Sequence, residues 1–139
     1  MTTAIFPGRF QPPHIGHILT LMRVYDKYDK IIVAVTRFTW WGQKPTIIEP
    51  EVAYEVLKEI FKPLPKYEII LIDKGFNERT IFDDLPEFDV VITGDERIMK
   101  RLPPLGIKVD FVPKSKIGEL EISGTILRDV LYWDLKPKT

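Results

Sequence analysis

An open α/β domain, a five-stranded parallel sheet with helices on both faces, is the fold class this sequence predicts, and three observations predict it. Short runs rich in Ile and Val alternate with longer segments of helical period, as in parallel strands joined by crossover helices. The 139 residues suffice for one domain with a real core and are too few for two of ordinary size. The glycine-bearing polar stretches fall directly after strands, on the carboxyl edge where such sheets collect ligands at the point of strand-order reversal.

The elements follow in order. Strands are expected at Thr3 to Phe6, Ile31 to Val35, Ile69 to Ile72, Val90 to Ile92 and Val109 to Val112. Between the first two, Ile18, Leu21, Met22 and Tyr25 recur at i, i+3, i+4 and i+7 and make one apolar stripe on a helix. Ala53, Val56, Leu57 and Ile60 repeat that spacing. Val90 to Asp95 reads as a strand ending in a turn, and one account of that turn makes Asp95 the cap of a short helix from Glu96 to Leu102. A last helix begins at Ser123 to Thr125, buries Leu127, Val130 and Leu131, and ends at Pro137. The stretches Arg37 to Pro50 and Pro113 to Glu121 break the rhythm and are expected at the surface. Residues 1 to 139 thus read as a single Rossmann-like domain.

Composition removes several functions. Twenty basic and twenty acidic residues give a formal net charge of zero, so the footprint of a protein that binds long nucleic acid is missing. Without cysteine there are no disulfides and no thiolate metal sites, which fits a reducing compartment. No apolar run approaches the roughly 18 residues of a membrane span, and Met1 leads straight into a strand, so the expectation is a cytoplasmic protein without a membrane partner.

The segment Gly8-Arg9-Phe10-Gln11-Pro12-Pro13-His14-Ile15-Gly16-His17 joins the first strand to the first helix. Unpaired N–H groups and the positive end of the helix dipole attract phosphate there, and Gly8 and Gly16 let backbone come close. With His17 in the first helical turn, His14 and His17 stand three residues apart and can face the same side as two nitrogen donors beside an anion. They are the only two histidines of the chain, and both fall in one loop. A zinc pair is the rival reading, but no third histidine and no cysteine exist to complete a common ligand set, so no metal site is expected.

A second cradle lies in Ile122-Ser123-Gly124-Thr125-Ile126-Leu127-Arg128. Ser123 and Thr125 offer hydroxyls at a helix start, and Arg128, three residues beyond Thr125, can fork onto the same anion. An ordinary cap followed by an exposed arginine is the competing account.

The first segment resembles the signature of the nucleotidylyltransferase superfamily, and its Gly-Arg-Phe-Gln-Pro-x-His-x-Gly-His form is most similar to that of archaeal-type nicotinamide mononucleotide adenylyltransferases. The resemblance implies that His14 and His17 contact a triphosphate and stabilise charge at the phosphorus under attack, with Arg128 assisting. It assigns phosphate or nucleotide contacts to Gly8, Arg9, Phe10 and Gly16. Ser123, Gly124, Thr125 and Arg128 match the superfamily's last-helix element, which holds the β and γ phosphates. The two motifs bracket the chain from Gly8 to Arg128. The tetrapeptide His14-Ile15-Gly16-His17 also resembles that of class I aminoacyl-tRNA synthetases, with a faint second echo in Lys114-Ser115-Lys116. The chain is too short and too neutral to house an amino acid pocket and a tRNA surface.

By the same resemblance, Thr93, Gly94 and Asp95 meet base and ribose through backbone groups, and Lys44 falls where phosphopantetheine and glycerol-phosphate transferases place a lysine near the acceptor phosphate. Trp40 and Trp41 occupy a surface loop, where two indoles are costly unless they cover a ligand ring or a partner subunit. Relatives usually start the second helix with an acidic residue followed by arginine; this chain has Glu49-Pro50-Glu51-Val52-Ala53.

What the resemblance implies, then, is transfer of AMP from ATP to a small phosphate-bearing acceptor, nicotinamide mononucleotide first, with Mg2+ carried by the triphosphate and with a homo-oligomeric enzyme. The alternatives are a cytidylyltransferase or a phosphopantetheine-type adenylyltransferase of the same chemistry, or a nucleotide-binding module without catalysis.

Overall fold

A computed structural model describes residues 1–37, 48–72, 85–114, 116–117 and 120–121. Five parallel strands, β1 (Thr3–Gly8), β2 (Lys30–Thr36), β3 (Tyr67–Ile72), β4 (Val90–Thr93) and β5 (Val109–Phe111), form one sheet in the order β3-β2-β1-β4-β5. Three α-helices accompany them among the described residues: α1 (Ile15–Arg23), α2 (Pro50–Phe61) and α3 (Glu96–Arg101). Each of the five expected strands is present, with ends moved by a few residues.

The central strands are apolar at consecutive positions because both faces of the sheet are covered. Ala4, Phe6, Ile31, Val33 and Val35 pack with Leu21 of α1 and Ala53, Leu57 and Phe61 of α2. Ile5, Ile32, Ala34 and Val91 face the other way, with Leu102 buried among them and Ile98 of α3 against them. Right-handed crossovers require this division, since β1-α1-β2-α2-β3 winds in one direction from the centre and β4-α3-β5 in the other.

The helical stripes are narrower than their spacing implies. On α2 the buried positions are Pro50, Ala53, Leu57 and Phe61, whereas Val56 and Ile60 are each 41% exposed. On α1, Leu21 is fully buried and Ile18 is partly buried, while Met22 is 54% exposed. Each helix lies against a flat sheet and buries about one residue per turn, so an apolar neighbour one position round the cylinder is left outside.

Winding from β1 outward both ways puts the strand-order reversal between β1 and β4. The loops after these two strands therefore leave the sheet side by side at its carboxyl edge, and between them they contain Gly8 to His17 and Thr93 to Asp95. Lys116–Ile117 and Leu120–Glu121 form a two-stranded antiparallel ladder, β6 and β7, within a stretch expected as irregular surface. Two-residue strands are too short to leave an alternating pattern in sequence. Among the described residues no helix is long and apolar enough to cross a membrane.

Candidate active site

The site starts from the way α1 begins. His14 is its N-cap, extended at φ −147° and ψ 174°, and its Nδ1 accepts from the Gly16 N–H at 3.0 Å. The return contact is also made: the His14 N–H donates to Nδ1 of His17 at 3.1 Å. This is a capping box in which two imidazoles replace the usual Ser or Thr and Glu. Its geometry stacks the two rings, with centroids 3.7 Å apart and planes 29° from parallel.

A backbone N–H can only donate, so both Nδ1 atoms are acceptors and each neutral ring carries its proton on Nε2. The same hydrogen bonds that start the helix therefore fix the tautomer, and give two N–H donors of equal sense at a helix N-terminus. No acidic residue lies in the first turn of α1 to oppose an anion there.

Beneath the imidazoles the loop is anchored from three sides. Phe10 is 2% exposed and sets its ring against His17 at 4.6 Å and Phe6 at 5.8 Å. It does so with φ +53°, a left-handed conformation uncommon for a bulky residue; the cost, of order 1–3 kcal/mol, is offset by burial of the ring. Gln11 is buried and grips the backbone of Ile48, its Nε2 donating to the carbonyl at 2.7 Å and its Oε1 accepting from the N–H at 3.0 Å. Arg9 is buried beside them in the sequence. Gly8 closes β1, and its carbonyl accepts from the Thr36 hydroxyl at 3.3 Å.

On the neighbouring strand end, Thr93 is buried and its hydroxyl accepts from the Asp95 N–H at 3.1 Å. Asp95 caps α3 by accepting from the Arg97 N–H at 2.8 Å, and the Arg97 side chain returns to the same carboxylate at 3.3 Å. Gly94 has no room for a side chain, because a Cβ there would stand 2.8 Å from the Val112 carbonyl oxygen. The turn is thereby a bare backbone surface, with its carboxylate engaged by α3.

Gly8, Arg9, Phe10, His14, Gly16 and His17 thus run from the end of β1 into the first turn of α1, and Thr93, Gly94 and Asp95 lead from the end of the adjacent β4 to the start of α3. Trp40, Trp41, Lys44, Ser123, Gly124, Thr125 and Arg128 lie outside the described residues. Sequence reasoning passed over two residues. Gln11 sits inside the motif, and a buried amide after a left-handed residue leaves no spacing signal. Arg37, directly after β2, pairs with Glu51 and lies 3.9 Å from Glu49, both at the start of α2; a lone arginine after an apolar run carries no motif.

The chain is similar to known proteins along nearly its whole length. The family model described as Cytidylyltransferase-like matches residues 5–129. The nicotinamide-nucleotide adenylyltransferase of Sulfurisphaera tokodaii is 30% identical over 98% of this chain and 86% of its own length. That of Pyrococcus furiosus is 28% identical over 100% of this chain and 80% of its own. Among solved structures, a bifunctional NMN adenylyltransferase/ADP ribose pyrophosphatase from Francisella tularensis superposes with a TM-score of 0.64 at 14% identity, covering 99% of this chain and 44% of that one. A lipopolysaccharide core biosynthesis protein from Thermoplasma volcanium gives 0.57 at 24% identity, covering 84% of this chain and 98% of that one. At such identities the two structures attest the fold alone.

Proposed function

This chain belongs to the cytidylyltransferase-like family of nucleotidyltransferases, and from that premise we propose that it transfers AMP from ATP to nicotinamide mononucleotide with release of pyrophosphate. The observation that carries the reading is the stacked pair His14 and His17 at the start of α1, each with Nδ1 accepting from a backbone N–H and so with its proton on Nε2. Near-full-length relatives named for this reaction favour the adenylyl donor and this acceptor over the CTP-dependent chemistry of the same family.

An oxygen of the acceptor's phosphate attacks the α-phosphorus; its P–O bond forms as the bridging bond to the β-phosphate breaks and pyrophosphate departs. That oxygen is already anionic at neutral pH, so no general base is needed, and the protein's task is positioning and charge stabilisation. His14 and His17 donate through Nε2 to the phosphoryl oxygens, assisted by the N-terminal N–H groups of α1. Arg9 is assigned a phosphate contact, and the backbone of Gly8, Phe10 and Gly16 borders the triphosphate. Thr93, Gly94 and Asp95 border base and ribose, Lys44 is assigned to the acceptor, and Ser123, Gly124, Thr125 and Arg128 to the β and γ phosphates. Mg2+ enters as part of the substrate, on the triphosphate.

In the same proposal the chain is assigned to the cytoplasm, with which its lack of cysteine is compatible. It is assigned a homo-oligomeric state, on the exposed apolar rows Ile15, Leu19 and Met22 of α1 and Val52, Val56 and Ile60 of α2.

Incubation with ATP or CTP against nicotinamide mononucleotide, an alcohol phosphate and a pantetheine phosphate, following pyrophosphate and product, tests the reading. Pyrophosphate from ATP with nicotinamide mononucleotide is expected. Consumption of CTP alone sinks the adenylyl assignment, and nucleotide binding without turnover over the whole panel sinks the enzyme.

A further inference from the structure

The carboxyl end of β2 presents a cation that the reaction above leaves unused. Thr36 ends the strand with its hydroxyl on the Gly8 carbonyl, and the next residue, Arg37, ties its own N–H to the Ile72 carbonyl at 3.4 Å. Arg37 therefore leaves the sheet beside the strand end from which the histidine loop departs. Its guanidinium reaches Glu51 and lies 3.9 Å from Glu49, the two acids flanking Pro50 at the start of α2. That helix start is itself tethered to the histidine loop, because the residue before Glu49 is the Ile48 held by Gln11. One arginine and two glutamates are thus fixed at the rim of the phosphate-transfer site by three separate segments.

We propose that Arg37 binds the phosphate of the acceptor, and that Glu49 and Glu51 hold its guanidinium in a competing ion pair which that phosphate displaces. The inference rests on the transferase reading only in requiring an acceptor that bears a phosphate monoester. The Arg37 side chain is 28% exposed, so it is largely held by its surroundings and still within reach of a ligand. Its partners are far more exposed, at 72% for Glu49 and 52% for Glu51, which makes their pairing weak and screened by solvent. A phosphate dianion accepts two parallel N–H bonds from a guanidinium and outcompetes a solvated carboxylate for the fork. Glu49, as N-cap of α2, makes no side-chain hydrogen bond to the first turn, so its carboxylate serves the arginine more than the helix. They also repel an arriving dianion, and so act as a brake on acceptor binding.

The test is calorimetric titration of nicotinamide mononucleotide into the intact protein saturated with an α,β-methylene ATP analogue, with wild type, R37A, R37K and E51Q compared. Loss of a bidentate charged contact is expected to weaken acceptor binding roughly tenfold to a hundredfold in R37A. R37K, with a point charge instead of a fork, weakens it less, and E51Q tightens it, while affinity for the ATP analogue stays within about twofold throughout. An arginine that merely anchors α2 gives a different result: R37A and E51Q shift acceptor binding in the same direction, or neither shifts it, and either outcome overturns the proposal. Should R37A fail to fold, R37K and E51Q decide on the same criterion, opposite shifts supporting it and like shifts ending it. Product formation in wild type with acceptor affinity unchanged in R37A ends the inference and leaves the transferase. Acceptor binding that depends on Arg37 without turnover does the reverse, and a wild type that binds no acceptor overturns both.

Discussion

Gln11 and Ile48, 37 residues apart in sequence, are joined by two hydrogen bonds that use both ends of one buried amide, at 2.7 and 3.0 Å. The contact fastens the histidine loop to the start of α2, and at neutral pH no side-chain group but a primary amide presents a donor and an acceptor in that spacing. Gln11→Ala leaves a backbone N–H and a carbonyl to find new partners, at about 1–3 kcal/mol each, so a loss of about 2–6 kcal/mol is expected in urea unfolding. Gln11→Glu is the sharper variant: its carboxylate still accepts from the Ile48 N–H but faces the Ile48 carbonyl without a proton. It should lose stability and ATP affinity together at pH 7 and recover part of both as the medium is acidified. Wild-type stability in either variant refutes the tether.

His17 and His14 should fail in different ways. His17→Ala removes one preorganised donor and the acceptor of the His14 N–H; for the donor, about 2.7–4 kcal/mol of transition-state stabilisation, roughly a hundred- to thousandfold in kcat, is the expected loss. His14→Ala removes a donor and also the cap on the Gly16 N–H, so it should add about 0.5–2 kcal/mol of lost stability. His14→Asp separates the two effects, since a carboxylate caps well and donates nothing. Its melting temperature should return towards wild type while turnover stays lost. Turnover within a fewfold of wild type in His17→Ala removes the role assigned to that ring.

Much of this was legible because the dominant signals are local and repeated. Five apolar runs mark five strands, since strands covered on both faces need no alternation, and the only two histidines fall where strand turns to helix. The position of Asp95 as the cap of α3 could be read from a polar residue standing before a short helical segment. What sequence could not reveal depends on partners far along the chain or on backbone shape. The left-handed Phe10 is one example, since nothing in an aromatic residue announces a positive φ. The pairing of Arg37 with Glu49 and Glu51 is another, set only once β2 and α2 are placed by the sheet. The exposed sides of Met22, Val56 and Ile60 show a third limit: periodicity gives the angular spacing of apolar residues but not the width of surface the sheet can cover.

Alkaline pH should weaken the fold through two tyrosines. Burial first, then the nearby Tyr25 and the negative charge of Asp26, push the Tyr67 hydroxyl from 10.0 up to about 12, and it donates to the Leu21 carbonyl at 2.7 Å. The folded state holds this proton more tightly than the unfolded chain, so the stabilisation is complete below pH 10 and is lost as pH rises from there to about 12. Tyr28, raised by burial and by its hydrogen bond to Asp110, acts in the same direction. Urea unfolding at stepped pH should show a falling midpoint above pH 10 in wild type. Tyr67→Phe should start lower at neutral pH, by about 1 kcal/mol for the lost hydrogen bond, and fall less steeply. Equal slopes in the two proteins refute the assignment.

Gly94 supplies a test of the second half of the site that does not touch the histidines. Any side chain there must clear the Val112 carbonyl oxygen, which stands 2.8 Å from where a Cβ would lie. That oxygen belongs to backbone just after β5, whose Val112 N–H is in turn held by the Thr93 carbonyl at 2.9 Å, so it cannot step aside without opening the ends of β4 and β5. Gly94→Ala should therefore cost about 1–3 kcal/mol of stability as an overpacking substitution. The displaced strand ends carry the Thr93-to-Asp95 backbone assigned to base and ribose, so ATP affinity should fall as well, while the affinity for inorganic pyrophosphate, which has neither base nor ribose, stays near wild type. Calorimetry with the two ligands separates the cases. Equal weakening of both locates the damage in the fold at large, and unchanged binding of both removes this turn from the nucleotide site.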